Sequence, residues 1–200
     1  MQSRNFIHNF YYDWWKNIDK FIFSLIILLF LIGLFFSLVS TSLIASDKLN
    51  TNSYYFFIKH FLFIGAGVFF IIFFSSLNYN DLTKISKILF VLFLFFLMLV
   101  PFFGVEVKGS KRWMEFFFLP KFQPIELLKP FLIVFIANIL SNENNKNIYH
   151  KYFLSFLIIV PVILLLIIQP DFGMFILVFV AWLIQMVTSR LKLKIILPIL

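Results

Sequence analysis

Two short stretches hold most of the groups in this sequence that could do chemistry. GVEVKGSKRWMEFFFLPKFQPIELLK, residues 104–129, gathers Lys108, Lys111, Arg112, Lys121 and Lys129 beside Glu106, Glu115 and Glu126, and QPDFG, residues 169–173, carries Asp171. A cluster of cations suits an anion. Arg112 is the member whose planar fork grips phosphate oxygens at two points, where an ammonium acts as a point charge. Lysine is the default cation of the chain, 14 Lys to 3 Arg, although Arg4 and Arg190 occur without such neighbours. The competing reading is a solvated loop whose charges only meet water.

The cationic stretch runs straight into a helix with a polar start. Pro124 fits a first helical turn, and Gln123, Glu126 and Lys129 follow at steps of three, so they share one helix sector. Glu126 and Lys129 either neutralise each other or face a cavity or partner helices, because charge in lipid is costly. Asp171, just after Pro170, either caps the helix that follows, where the dipole favours a carboxylate, or turns to the basic stretch and orders Arg112 or a lysine.

The elements that must hold these groups follow from composition. With 62% hydrophobic residues, 13% charged, 32 Phe and a mean hydropathy of +0.99, the chain cannot bury its apolar surface in one water-soluble core. A hydrocarbon layer of about 30 Å takes about 20 apolar residues per helix. Six runs meet this need: Phe21–Leu43, Phe56–Leu77, Ile88–Val105, Ile125–Leu140, Phe153–Ile168 and Phe172–Val187. The sequence predicts an all-α fold, a polytopic transmembrane helix bundle of about six complete spans, with Ile195–Leu200 as the start of a seventh. It reads as the front part of a longer protein. Phe21–Leu43 exceeds the 7–15 residues typical of a signal-peptide core and is expected to stay as a membrane helix. No internal repeat or long polar tract marks a second domain, so residues 1–200 are expected to form one integral membrane domain, with Ser141–Lys151 as a solvated connection. The chain has no cysteine, which excludes disulfides, thiol nucleophiles and thiolate metal sites, and His8, His60 and His150 show no ligand spacing.

Orientation follows from the cations. A cytoplasmic N-terminus puts Arg4, Lys16, Lys20, Lys84, Lys87, Lys146, Lys151, Arg190, Lys192 and Lys194 inside, against Lys48, Lys59, Lys108, Lys111, Arg112 and Lys121 outside. Four of those six outside cations belong to the one basic stretch. That stretch therefore runs against the positive-inside tendency, as a site for an anion at the outer surface would.

GSKRWMEFFFLPKFQPIELLK and QPDFGMF, two hydrophobic spans apart, resemble the SEDS family (shape, elongation, division and sporulation), the FtsW and RodA peptidoglycan glycosyltransferases, whose members read close to G-S-x-R-W-I, Q-P-S-E-x-x-K and Q-P-D-x-G-T. The resemblance covers most of the chain. WWKNIDKFIF before the first span and SLVSTSLIAS at its end are more similar to FtsW, the division member, than to RodA. The sequence departs from the family at Ile125, where Ser is usual, at Phe117, where Gly is common, and at Met174, where Thr is common.

The resemblance implies an enzyme of roughly ten helices that polymerises lipid II at the outer face of the bacterial cytoplasmic membrane. The 4-hydroxyl of one disaccharide attacks the anomeric carbon of another, with inversion, and expels undecaprenyl pyrophosphate. That displacement needs a base and positive charge for the leaving group. Arg112, with Lys111 and Lys121, is expected to supply the charge, and Gln123, Glu126, Lys129 and Asp171 to bind substrate by shaping the cavity. The family's base lies in an outer loop after the seventh helix, outside this sequence, so Asp171 is not assigned that role. The expected partners are lipid II, a class B penicillin-binding protein transpeptidase and division proteins, with no nucleic acid. No metal site or cofactor is expected, a divalent cation being left open. A flippase or transporter of lipid-linked precursors, which also needs outside cations, and a scaffold that docks a transpeptidase are the rival classes.

Overall fold

The computed structural model describes residues 12, 14–49, 54–107, 109–115, 121–142 and 147–189, with the side chains of 40–49 and 55 left aside. Arg4, His8, Lys108, Phe117, Lys146, Arg190, Lys192, Lys194 and the run Ile195–Leu200 lie outside the described residues. The chain divides into two compact units, Met1–Asn78 and Tyr79–Leu200.

The first unit is a pair of helices, α1 (Lys20–Leu49) and α2 (Tyr55–Ser75). Asp19 starts α1 by accepting the N–H groups of Phe21 and Ile22 at 2.9 and 3.1 Å, which satisfies two donors that a helix start leaves open. The Trp14 indole N–H donates to Ser75 Oγ at 2.7 Å and ties the segment before α1 to the end of α2. His60 lies beside Gly33, and Phe30 beside Gly67, where the two helices meet. The outward faces are apolar all round, with Phe21, Leu29, Phe35, Leu62 and Phe69 exposed. Such a surface is stable in hydrocarbon, where the helical backbone satisfies its own polar groups.

The second unit holds α3 (Tyr79–Phe103), β1 (Val105–Val107), β2 (Ser110–Trp113), α4 (Pro124–Ser141), α5 (Ile148–Ile168) and α6 (Phe172–Thr188). Its core joins Phe90 and Leu97 of α3, Leu128, Leu132 and Ile136 of α4, Ile159, Val162 and Leu166 of α5, and Val178, Trp182 and Met186 of α6. By length and composition α1 to α5 can cross a membrane. α6 is also apolar and has 17 residues, about 26 Å of helix at 1.5 Å per residue.

The observed helices follow the hydrophobic runs closely, except at α3, which begins at Tyr79 rather than at Ile88. Thr83, Ser86 and Phe90 are buried while Lys84 and Lys87 are exposed, so the helical period continues through residues too polar to register as a hydrophobic run. α5 likewise starts earlier, at Ile148, because Asn147 caps it by accepting the Tyr149 N–H.

The basic stretch is more ordered than a loop. Gly104 closes α3, its N–H donating to Val100 O at 2.7 Å. A Cβ at this position would collide with the same carbonyl, so only glycine passes. An antiparallel hairpin follows, pairing Val105 with Trp113, Glu106 with Lys111, and Val107 with Ser110. Gly109 sits at the tip with φ +80°, a conformation that costs any residue bearing a Cβ. The register shifts between Val105 and Glu106, so the step from Trp113 to Lys111 leaves Arg112 as the extra residue of a bulge. Met114 and Phe122 exchange backbone hydrogen bonds at 2.9 and 3.1 Å, and the chain then enters α4.

Candidate functional site

Each candidate residue takes its place from a local feature of the chain. Bulges re-aim side chains, and the bulge at Arg112 directs its guanidinium to the turn between α5 and α6. There Arg112 Nη2 donates to the Pro170 carbonyl at 2.6 Å, and Nη1 lies 3.4 Å from Asp171 Oδ1. On the same chain segment, 11 residues after Arg112, Gln123, with extended backbone just before Pro124, stands outside the helical register of α4. Its amide reaches across to donate to Asp171 Oδ2 at 2.8 Å.

Asp171 is therefore the centre of the cluster. It is 4% exposed and caps α6, its Oδ1 accepting the Met174 N–H at 3.5 Å. Both readings of Asp171 from the sequence hold together: it caps a helix and it meets the basic stretch. A buried carboxylate is costly unless paired and hydrogen-bonded, and here both oxygens are engaged. That arrangement holds its neighbours in place. Arg112 keeps a third of its side chain exposed, so the guanidinium retains donor capacity beyond its two contacts.

The remaining candidates form two further pairs. Lys129 Nζ meets Glu126 at 2.7 Å, with Glu126 about half exposed and Lys129 mostly covered, and it also approaches Met174 Sδ at 3.5 Å. Lys129 stands at the head of a shallow apolar groove between α4 and α6, walled by Leu132, Ile133, Leu177 and Val178. Neutralisation and a groove-facing position thus coexist. Lys121 pairs with Glu115 at 3.1 Å, both about half exposed, a geometry worth little in water. Lys111 is exposed and lines a cavity of about 190 Å³ with Ser110, Ile168, Gln169 and Pro170. Among the described residues no three His, Asp or Glu side chains gather as they would around a metal ion.

One family model, described as cell cycle protein and covering FtsW, RodA and SpoVE, matches residues 19–200. The chain belongs to the FtsW/RodA/SpoVE family. Among its relatives, the probable peptidoglycan glycosyltransferase FtsW of Caulobacter vibrioides is 26% identical over 171 residues, covering 84% of this chain and 43% of the relative. Stage V sporulation protein E of Bacillus subtilis is 32% identical over 160 residues, covering 78% of this chain and 43% of the relative. Rod shape determining protein RodA of Thermus thermophilus has a similar structure, with TM-score 0.52 and 25% identity over 80% of this chain and 56% of that one. A peptidoglycan synthase complex solved for the coordination of polymerization and crosslinking contains a chain with TM-score 0.54 and 26% identity, covering 74% of this chain and 44% of that one. The chain spans less than half the length of these two curated relatives.

Within the family frame the departures have visible settings. Ile125 is fully buried, which suits an alkyl side chain there better than an unpaired hydroxyl. Met174 offers its sulfur to Lys129 where a threonine hydroxyl is common. Sequence reasoning assigned no part to Gln169, which is 4% exposed and donates to Leu97 O at 3.0 Å. Its signal was present, since Pro101 in α3 removes the N–H that Leu97 O would otherwise accept. Glu115, the partner of Lys121, was counted as a charge but not paired.

Proposed function

We propose that this protein is a peptidoglycan glycosyltransferase that polymerises lipid II at the outer face of the bacterial cytoplasmic membrane during cell division. In this reading the N-terminus is cytoplasmic, and a class B penicillin-binding protein transpeptidase and division proteins are its partners. The observation that carries it is Arg112, aimed by a bulge and braced by Pro170 and Asp171 at one end of the α3–α6 unit. Family membership and the names of the relatives support it, and the synthase complex supports the partner class.

The displacement of undecaprenyl pyrophosphate builds negative charge on the leaving group. Arg112 stabilises that charge, with exposed Lys111 beside it, because preorganised donors act where charge develops. Lys121 adds a screened contribution, being paired with Glu115. Gln123, Glu126, Lys129 and Asp171 shape and hold the binding surface. Asp171 is a positioning carboxylate, and the base that takes the proton of the attacking 4-hydroxyl is none of these residues. The reading calls for no cofactor, and chelation in the assay below reads whether a divalent cation takes part.

The test places Arg112→Ala and Arg112→Lys in the full-length protein with its partner, and measures glycan polymer formed from lipid II in detergent alongside lipid II binding. A charge-assisted contact of about 1.5–3 kcal/mol corresponds to a fall of roughly 10- to 150-fold for Ala. Lys recovers part, keeping the charge and losing the fork. Undiminished polymerisation by the Ala variant sinks the role of Arg112. A wild-type protein that makes no polymer yet moves lipid-linked precursor across a sealed bilayer replaces the enzyme with a transporter.

Orientation has its own test. The chain has no cysteine, so single cysteines at Ser110 and Asn142 report side directly. A membrane-impermeant thiol reagent added to intact cells labels the first and spares the second; the reverse pattern overturns the topology.

A further inference from the structure

Pro101 lies in the last turn of α3 and has no N–H. Leu97 O, four residues earlier, therefore lacks its helical donor. Leu97 is fully buried, and a carbonyl left open in a dry setting is costly. The missing donor arrives from 72 positions along the chain, as Gln169 Nε2 at 3.0 Å, from a side chain that is itself buried.

The place from which it arrives is informative. Gln169 opens the turn between α5 and α6, and the next two residues of that turn, Pro170 and Asp171, are the ones that hold Arg112. Arg112 in turn sits on the hairpin that leaves α3 directly after Gly104. The α3–hairpin segment and the α5–α6 turn are thus joined at two points. The Gln169 bond is the dry one, and the first Arg112 contact is on the very next residue, Pro170, so a shift at Gln169 passes straight to the carbonyl and carboxylate that fix the guanidinium.

We infer that Gln169 is a positioning residue: by supplying the N–H that Pro101 lacks, it latches the α5–α6 turn to α3 and sets where Pro170 and Asp171 hold Arg112. The consequence for turnover rests on the glycosyltransferase reading above; the latch itself does not. A merely structural Gln169 would serve only to satisfy Leu97 O, and the two roles separate when that carbonyl is given another donor. Pro101→Ala does so, returning an N–H to the helix.

The experiment uses the full-length protein with its partner, on a cysteine-free background carrying Ser110→Cys and Ile168→Cys, two positions that line the same 190 Å³ cavity between hairpin and turn. Crosslinking by a short bifunctional thiol reagent, thermal unfolding in detergent and polymerisation are compared for the parent, Gln169→Leu, and Gln169→Leu with Pro101→Ala. Gln169→Leu should unfold at lower temperature, crosslink several-fold more slowly and polymerise less. The double variant should regain the unfolding temperature while crosslinking and polymerisation stay low. Parent-like crosslinking in Gln169→Leu, or recovery of crosslinking together with stability in the double variant, overturns the latch. Should Gln169→Leu fail to fold, the double variant carries the comparison, and its failure to fold as well overturns Leu97 O as the group that Gln169 serves. A parent that makes no polymer while the crosslinking pattern holds overturns the enzyme reading and leaves the latch standing.

Discussion

The two ends of the α3–α6 unit use polar side chains in opposite ways. At the hairpin end, Asp171 and Gln169 are buried, and their partners come from the hairpin, from the residue preceding α4 and from α3. At the other end, exposed Tyr79 has its Oη 3.3 Å from Oγ of exposed Ser141 and accepts from half-buried Asn138 Nδ2 at 3.1 Å, while Lys151 Nζ caps α4 by donating to Leu140 O at 3.1 Å. Water competes for most groups at the second end and for few at the first. A bond therefore carries different weight at the two ends: the buried set at the hairpin end specifies one geometry, whereas the more solvated links between α3, α4 and α5 at the far end specify less.

Substitutions ranked by expected effect can break or sharpen this contrast. Asp171→Ala should cost the most, roughly 2–3 kcal/mol, because it strands Gln123 and Arg112, with the figure discounted from a fully buried pair since Arg112 is partly exposed. Asp171→Asn should recover part of it, as an amide oxygen still accepts from a backbone N–H; thermal unfolding in detergent reads both, and Asn should retain some polymerisation. Full stability in Asp171→Ala would mean the hairpin end is no more than a second solvated surface.

Gly104→Ala comes next, at about 1–3 kcal/mol, the usual range for overpacking, since the new Cβ meets a backbone carbonyl rather than a movable side chain. The same unfolding assay reads it, and an unchanged midpoint would show that the junction of α3 with the hairpin yields freely. At the far end, Lys151→Met should cost about 1 kcal/mol by opening one of the carbonyls that a helix C-terminus leaves unpaired. Tyr79→Phe should fall within about 0.5 kcal/mol, as exposed substitutions do. If Tyr79→Phe matched Asp171→Ala in the same assay, the distinction between the two ends would fail.

Hydropathy made much of the fold legible. α1, α2, α4 and α6 lie close to their apolar runs, and Pro124 opens α4 as expected, because crossing lipid is a requirement that every residue of a segment answers locally. The starts of α3 and α5 were less legible. Thr83 and Ser86 continue the buried stripe of α3 without being apolar, and a cap such as Asn147 extends α5 beyond the hydrophobic run. The hairpin is not legible in the sequence, since a glycine tip and a two-strand pairing within charged residues leave a faint pattern.

By itself the sequence determined the solvent, the helices and the two polar stretches, all properties carried by neighbours along the chain. Only the tertiary structure decided their connections: that Arg112 is spent on Pro170 and Asp171, that Gln123 turns away from its helix to the same carboxylate, and that Gln169 answers for Pro101. These pairs lie 48 to 72 positions apart. Local periodicity cannot specify them, because a hydrogen bond depends on where a donor and an acceptor meet in space, and packing of α3, α4, α5 and α6 sets that meeting point.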